Sequence, residues 1–195
     1  MTAAALAPVP SFRPVIRPST IRATDLADVE HLFDPPVNLV VWERRLSAAA
    51  VGSRLWPRTP VRLMRTIRAA QADTATLARE VGIAPQSALA RDIALLCDVF
   101  ATLTGATTLG LRVDVTDRAN CPKFHVDRVT LRLMTTYRGP ATEWLEGETV
   151  RQAQVHDVLF AKGESWPDLH CDPCVHRSPQ LRAGQMRVLL TLDAL

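Results

Sequence analysis

The feature that most limits the possible folds of this 195-residue chain is a change of pattern after Gly105. Residues 109–115, 129–137 and 186–192 alternate between apolar and polar side chains, and residues 155–160 form a short, mostly apolar run. Alternation with a period of two residues indicates β-strands with one buried face. Turn-forming residues separate these runs (Gly139-Pro140, Lys162-Gly163, Ser178-Pro179 and Gly184). The second half of the chain is therefore predicted to be antiparallel β-structure.

The first half is predicted to be mainly helical. Apolar residues recur at helical spacing from about residue 86 to 103, and Gly105 is suited to end that helix. Shorter helices are predicted at 25–33 and 46–55, and short apolar runs at 37–42 and 61–65 predict strands. This arrangement predicts an α+β protein, or a β-barrel with helices on its outside.

The composition fits one ordinary globular domain. Hydrophobic residues make up 47% of the chain and charged residues 22%, which excludes wholesale disorder. Residues 1–18 are rich in Ala and Pro and are predicted to form a flexible arm. Residues 19–195 are predicted to be a single domain, with a mainly helical part at 19–105 and a β core at 106–195 that carries the functional site.

Charge and hydropathy suggest neither a nucleic-acid partner nor a membrane partner. The formal net charge is only +3, and the densest basic stretch, 54–68, is interpreted as a solvated face. The sequence shows no secretory signal and no apolar stretch long enough to span a bilayer. A cytoplasmic location is therefore expected, with the four cysteines present as thiols or metal ligands.

His125 and Asp127 have the clearest chemical meaning. In an extended segment, side chains two residues apart point to the same side, so both could hold one metal ion. His176, which precedes the last predicted strand, offers a third ligand. Two imidazoles and one carboxylate form the facial triad of non-haem Fe(II) oxygenases, which leaves coordination positions open. Arg187, in the last predicted strand, could bind a carboxylate through two parallel hydrogen bonds.

In their order, these motifs resemble the Fe(II)/2-oxoglutarate-dependent oxygenases, especially the prolyl-hydroxylase-like members. The similarity covers about residues 108–195. The motifs are His125-Val-Asp127, Leu131-Arg132-Leu133, Thr135-Thr136-Tyr137, His176-Arg-Ser-Pro179, Gly184 and Arg187. The resemblance implies a double-stranded β-helix, or jelly roll, with the N-terminal helices packed outside. It also implies Fe(II) bound by His125, Asp127 and His176, and 2-oxoglutarate bound by Arg187, with Tyr137 or Arg132 lining the co-substrate pocket.

A second resemblance covers most of the chain after the arm. The motifs are Cys121-Pro-Lys-Phe-His125-Val-Asp127, Thr136-Tyr-Arg-Gly-Pro-Ala-Thr-Glu-Trp144, Lys162-Gly-Glu164 and His176-Arg-Ser-Pro179. They resemble an uncharacterised proteobacterial family of unknown function. That family is associated with zinc-homeostasis and zinc-starvation gene neighbourhoods, so the resemblance implies a metal site without fixing a reaction.

The segment His170-Cys171-Asp172-Pro173-Cys174 supports an alternative. His170, Cys171 and Cys174 are zinc-type ligands at close spacing and could form a second, zinc-binding site. The chain could then be a non-catalytic zinc sensor, buffer or homeostasis accessory. A weaker alternative is a cupin-like isomerase or hydrolase. An open metal site with Arg187 pointing into its pocket favours the oxygenase, whereas four protein ligands favour zinc. The sequence does not show whether the substrate is a small molecule or a peptide.

Four other residues carry expectations about packing. Cys121 is expected to pack under its strand, and Trp144 to fill the core. Glu143 is a candidate to orient a ligand histidine. Lys162, next to Gly163, is expected to be a solvated charge at a turn.

Overall fold

The computed structural model describes residues 17–47, 59–167 and 170–195. The strands are β1 (Ser19–Ala23), β2 (Val37–Trp42), β3 (Val61–Arg68), β4 (Thr108–Thr116), β5 (Leu131–Arg138), β6 (Glu143–Glu146), β7 (Thr149–Gln152), β8 (Val158–Lys162), β9 (His176–Arg177) and β10 (Arg187–Ala194). The α-helices are α1 (Thr74–Val81) and α2 (Ala88–Thr104), and short 3₁₀-helices lie at Ala27–Phe33 and Ala69–Gln71.

The strands form two sheets. Seven strands build the larger sheet in the order β1-β2-β8-β5-β10-β4-β3, and three build the smaller sheet in the order β7-β6-β9. All neighbouring pairs in the larger sheet are antiparallel except β1 and β2, which are parallel. The larger sheet thus interleaves strands from both ends of the chain, which brings distant segments together around β10.

Strand β10 shows how the larger sheet separates two layers. Its side chains alternate as the pleat requires: Val188, Leu190 and Leu192 join the apolar core on the helix side. Leu189 instead joins Trp144 of β6 in a second apolar core, which lies between the sheets. Polar residues of β10 on the Leu189 side therefore face the interior of the sandwich.

Helix α2 covers the other face of the larger sheet. Its buried residues Leu89, Ile93, Leu96 and Phe100 recur at helical spacing and join the same core as β10. The Ser87 side chain accepts a hydrogen bond from the backbone N–H of Ala90 and caps the helix, and Gly105 ends it in the left-handed conformation. Nowhere in the described residues is a helix long and apolar enough to cross a membrane.

Most predicted elements are present close to their predicted positions, and the α+β class is confirmed. Strands β2 and β3 confirm the strands predicted at 37–42 and 61–65, whereas β1 was not predicted. All three strands belong to the larger sheet, so the part before residue 105 is not mainly helical. The short helix expected at 25–33 is a 3₁₀-helix. The predicted arm and the helix expected at 46–55 lie wholly or largely outside the described residues.

Candidate active site

His125 and His176 are joined through their backbones. Each donates its N–H to the carbonyl oxygen of the other at 3.0 Å, which forms an isolated antiparallel bridge beside the smaller sheet. The two imidazole rings lie 4.7 Å apart, centroid to centroid. Nδ1 of His125 lies 3.0 Å from the carbonyl oxygen of Lys123, and Nδ1 of His176 lies 3.3 Å from that of Cys174. When each Nδ1 carries its proton and donates it to that carbonyl oxygen, each Nε2 keeps a lone pair that can bind a metal ion.

Asp127 supplies a carboxylate between these rings. Its Oδ1 lies 3.7 Å from Nε2 of His125, and its Oδ2 lies 3.1 Å from Nε2 of His176. Arg132 of β5 holds Oδ1 in an ion pair of 2.6 Å. Burial raises the pKa of the Asp127 carboxyl, but His176, Arg132 and His125 outweigh burial and lower that pKa to about 2. Asp127 is therefore ionised, as a metal ligand requires.

Arg132 bridges two carboxylates. Its Nε and one Nη donate to the two oxygens of Asp193 on β10, at 2.7 and 2.8 Å, while the other Nη pairs with Asp127. The guanidinium lines the site but is committed to these two carboxylates. Its geometry fits positioning of Asp127 better than the predicted contact with a co-substrate.

The three side chains fit a metal ion. One ligand atom from each of His125, Asp127 and His176 lies within 4.8 Å of the others. Asp127 Oδ2 is buried and makes no hydrogen bond, although an imidazole nitrogen is near, so it is available as a ligand. The set is the two-histidine, one-carboxylate triad of non-haem iron sites. Among the described residues, no fourth His, Cys, Asp or Glu joins this group.

Gly163 packs closely against the loop that carries Asp127. The backbone N–H of Gly163 donates to Thr130, that of Glu164 to Asp127 and that of Ser165 to Val129. A Cβ at Gly163 would lie 2.1 Å from the carbonyl oxygen of Val129 and 2.7 Å from that of Asp127. Only glycine permits this close approach, so Gly163 helps to position the loop that carries Asp127.

Arg187 is the most deeply buried cation of the site. Its Nη1 donates to Ser178 at 3.0 Å, and its Nη2 donates to Thr142 at 2.8 Å and to Thr136 at 3.4 Å. These partners are neutral hydroxyls, and the buried Nε makes no hydrogen bond. Burial lowers the pKa of Arg187 to about 10, so the group is charged at neutral pH. In the part of the chain that the structure describes, no carboxylate forms an ion pair with Arg187, and a buried cation in that position calls for an anionic ligand.

The start of β10, where Arg187 lies, is packed tightly against Gly139. Gly139 has a φ of 82°, and a Cβ there would lie 2.4 Å from the carbonyl oxygen of Met186. Glycine is the residue that adopts this left-handed conformation without strain. The hairpin after β5 thereby helps to fix the position of Arg187.

One cavity of about 200 Å³ connects these groups. It is lined by Arg62, Arg112, Asp114, Asn120, Cys121, His125, Asp127, Arg132, Met134, Thr142, His176, Arg177, Ser178, Arg187, Leu189 and Thr191. The prediction missed Arg62, Arg112 and Asp114, and it did not identify the three hydroxyl partners of Arg187, which are Thr136, Thr142 and Ser178. Arg112 and Asp114 were detectable, since they alternate with apolar residues in β4. Thr142 and Ser178 lie in loops, where no periodicity marks them.

Tyr137 does not line this cavity, so that expectation is corrected. Its ring lies in the core on the helix side of the larger sheet, and its hydroxyl donates to Asp92 of α2 at 2.7 Å. Burial raises the pKa of Tyr137 well above its usual value, and Asp92 raises it further. The physical reason is the pleat: Arg132 and Tyr137 are five residues apart in β5 and point to opposite faces.

The predicted second zinc site is also corrected. His170, Cys171 and Cys174 do not form a group of three converging ligands among the described residues. Cys174 lies in the apolar core between the sheets, and burial raises the pKa of its thiol to about 12. His170 is exposed, whereas Cys171 is buried. A cysteine packed among apolar side chains stays protonated, which disfavours metal binding.

Three smaller expectations change as well. Cys121 is exposed and lines the cavity instead of packing beneath a strand. Glu143 pairs with Arg177 Nε at 2.6 Å and holds the residue after His176 instead of the imidazole itself. Lys162 is buried, with its Nζ 3.3 Å from the carbonyl oxygen of Asp34. Trp144 packs in the core as expected.

The fold matches those of solved 2-oxoglutarate oxygenases. The Arabidopsis thaliana dioxygenase for auxin oxidation 1, in its 2-oxoglutarate complex, superposes with a TM-score of 0.53 at 11% identity, covering 92% of both chains. The rice dioxygenase for auxin oxidation gives 0.55 at 12% identity, covering 92% of this chain and 83% of the other. JOX2 in complex with 2OG, Fe and JA gives 0.53 at 11% identity, covering 99% and 80%. The chain therefore has the predicted double-stranded β-helix fold.

The family follows from the sequence itself. The model of the DUF1826 family, described as proteins of unknown function, matches residues 23–193. The chain belongs to this family. A search of the curated proteins gave no match.

Proposed function

We propose that this protein is an Fe(II)/2-oxoglutarate-dependent oxygenase. The observation that carries the proposal is Arg187, a buried guanidinium whose partners among the described residues are all hydroxyls, in the same cavity as a two-histidine, one-carboxylate triad. A dicarboxylate such as 2-oxoglutarate satisfies both features, because one end can chelate the metal ion while the other pairs with the arginine. The shared fold supports the proposal without fixing it, since one fold hosts many activities.

His125, Asp127 and His176 would hold the iron. Iron and 2-oxoglutarate together supply oxidation coupled to decarboxylation of the co-substrate. The chain's own contribution is orientation: the backbone bridge fixes both imidazoles, and Arg132 holds the outer oxygen of Asp127. Ser178, Thr142 and Thr136 hold the Arg187 guanidinium at its buried position, ready for a carboxylate.

A zinc-handling function has less support from the site. Three ligands around an open cavity differ from the four-ligand closed sets of structural zinc. A cupin-like isomerase or hydrolase would use the triad alone, and the buried charge of Arg187 would then have no role. The oxygenase proposal accounts for both the triad and the arginine.

Calorimetry on the Mn(II)-loaded protein tests the proposal, because Mn(II) fills such sites without turnover. We expect 2-oxoglutarate to bind to the wild type, and Arg187→Met to weaken that binding by about 30-fold or more, as loss of a buried charge pair costs about 2 kcal/mol at least. Arg182→Met, at an exposed position five residues earlier, is the matched control and should bind like the wild type. Equal affinity in Arg187→Met and Arg182→Met would contradict the proposal.

A further inference from the structure

A second basic group lies on the cavity wall formed by β3 and β4. Arg62 and Arg112 both approach the buried carboxylate of Asp114, with Arg62 Nε 2.5 Å from Oδ1 and Arg112 Nε 3.3 Å from Oδ2. The side-chain amide of Asn120 also donates to Oδ2, at 3.2 Å. Two guanidinium groups therefore share a single carboxylate, which leaves an excess positive charge at this wall.

Each of the other arginines that line the cavity has a carboxylate partner or a proposed ligand. Arg132 pairs with Asp127 and Asp193, and Arg177 pairs with Glu143. Arg187 is the one assigned to 2-oxoglutarate. In the described part of the chain, the Nη atoms of Arg62 and Arg112 have no hydrogen-bond acceptor. Once the co-substrate is bound, these two guanidinium groups remain available to a further ligand.

Strand geometry directs Arg112 into the cavity instead of the bulk solvent. Arg112 and Asp114 alternate with Leu111, Val113 and Val115, which pack into the core on the helix side. The Arg112 side chain is only 27% exposed, and its Nε is buried without a hydrogen bond. Arg62, on the neighbouring edge strand, is 53% exposed and stands at the cavity mouth. The pair thus spans from the interior of the cavity to its entrance.

We propose that Arg62 and Arg112 form an anion subsite for the substrate, which is a small organic anion carrying a carboxylate or phosphate group. The inference rests on the oxygenase function proposed above. Guanidinium groups bind both anions through paired hydrogen bonds. Arg62 and Arg112 line the same cavity of about 200 Å³ as the triad and Arg187. Because this volume is small for a ligand pocket, only a compact anionic group of the substrate fits beside the co-substrate.

Nuclear relaxation on the full chain loaded with Mn(II) and saturating 2-oxoglutarate tests the subsite. Acetate and inorganic phosphate serve as anion probes, and acetamide as the neutral probe, because paramagnetic Mn(II) relaxes nuclei bound near the metal. We expect at least one anion, but not acetamide, to show enhanced relaxation in the wild type. Arg112→Met and Arg62→Met should each weaken its binding by about tenfold, which corresponds to about 1.4 kcal/mol. Enhanced relaxation of acetate would indicate a carboxylate substrate, and enhanced relaxation of phosphate would indicate a phosphate substrate.

Arg65→Met is the matched control, because Arg65 lies on the same strand but pairs with Glu80 of α1 at 2.5 Å. It should behave as the wild type. Two results would overturn the subsite and leave the oxygenase proposal intact, provided that the wild type binds 2-oxoglutarate. In the first, the relaxation of acetamide nuclei is enhanced as strongly as that of the anions. In the second, no probe shows enhanced relaxation. Enhancement that persists in both Arg62→Met and Arg112→Met also overturns the subsite, since the anion would then bind the metal directly. Failure of the wild type to bind 2-oxoglutarate overturns both proposals.

Discussion

His125 and His176 face each other across an antiparallel bridge in which each residue both donates and accepts one backbone hydrogen bond. They are 51 positions apart in the sequence, so the bridge is a tertiary feature. It sets the spacing of the two imidazoles independently of any metal ion. Binding then requires little rearrangement, which favours high affinity.

Replacement of His176 tests the metal site. We expect His176→Ala to abolish tight binding of Fe(II) or Mn(II), because only one imidazole and one carboxylate remain. His170→Ala is the control: its imidazole is exposed and outside the triad, so metal content should stay at the wild-type level. Metal analysis after dialysis measures both. Retention of metal in His176→Ala, or its loss in His170→Ala, would show that the ligands are assigned incorrectly.

Arg132 is expected to position Asp127 for the metal ion. Arg132→Gln removes the ion pair to Asp127 Oδ1 and frees the carboxylate to rotate, so Mn(II) affinity should fall by about tenfold or more. Arg128→Gln, in the loop that carries Asp127, removes an exposed guanidinium that lies 3.7 Å from Glu164 and should leave the affinity unchanged. Mn(II) titrations, monitored by the electron paramagnetic resonance signal of free Mn(II), measure the affinities of both variants. Identical affinities for Arg132→Gln and wild type would refute the positioning role.

Gly163 is expected to tolerate no side chain. The Cβ of Gly163→Ala would clash with the carbonyl oxygens of Val129 and Asp127, so the loop has to move and Mn(II) affinity should fall by about tenfold. Gly110→Ala is the control, since the nearest atoms to a Cβ there belong to the Leu195 side chain at 3.6 Å, an ordinary van der Waals contact. The same Mn(II) titration compares them, and circular dichroism verifies folding. Mn(II) binding to Gly163→Ala as tight as to Gly110→Ala would contradict this expectation.

Tyr137 is expected to affect stability and not co-substrate binding. Tyr137→Phe removes the hydrogen bond to Asp92, which is buried and also paired with Arg44. The free energy of unfolding should fall by about 1.5 kcal/mol, while the affinity for 2-oxoglutarate stays the same. Urea unfolding and calorimetry measure the two quantities. If Tyr137→Phe changed the affinity for 2-oxoglutarate and left the free energy of unfolding unchanged, Tyr137 would have to contact the co-substrate.

The sequence was sufficient to predict the metal triad and Arg187 as candidates because their chemistry is specific to their residue types. It also predicted most strands, since one-sided burial produces alternation in the larger sheet. It misplaced Tyr137 although the same alternation, counted from Arg132, puts that residue on the core side. It could not predict that Thr142 and Ser178 hold Arg187, because those contacts depend on how loops of both sheets meet.

The zinc expectation for Cys171 and Cys174 illustrates a different limit. A C-x-x-C spacing permits zinc binding but does not require it, and burial decides which applies. Cys174 fills the apolar space between the sheets beside Ala141 and Trp144. Nothing local in the sequence distinguishes that packing from metal ligation.

The most direct test of the central claim is an anaerobic titration of the Fe(II)-loaded protein with 2-oxoglutarate, followed by visible absorption. Chelation of iron by the co-substrate produces a weak charge-transfer band. We expect the band to appear in the wild type and in Arg182→Met. Arg187→Met should require about 30-fold more 2-oxoglutarate to reach the same band intensity. Arg187→Met should remain folded, because it removes a buried charge that forms no ion pair with a carboxylate among residues 17–47, 59–167 and 170–195. Iron binding without a band in the wild type would contradict the oxygenase assignment.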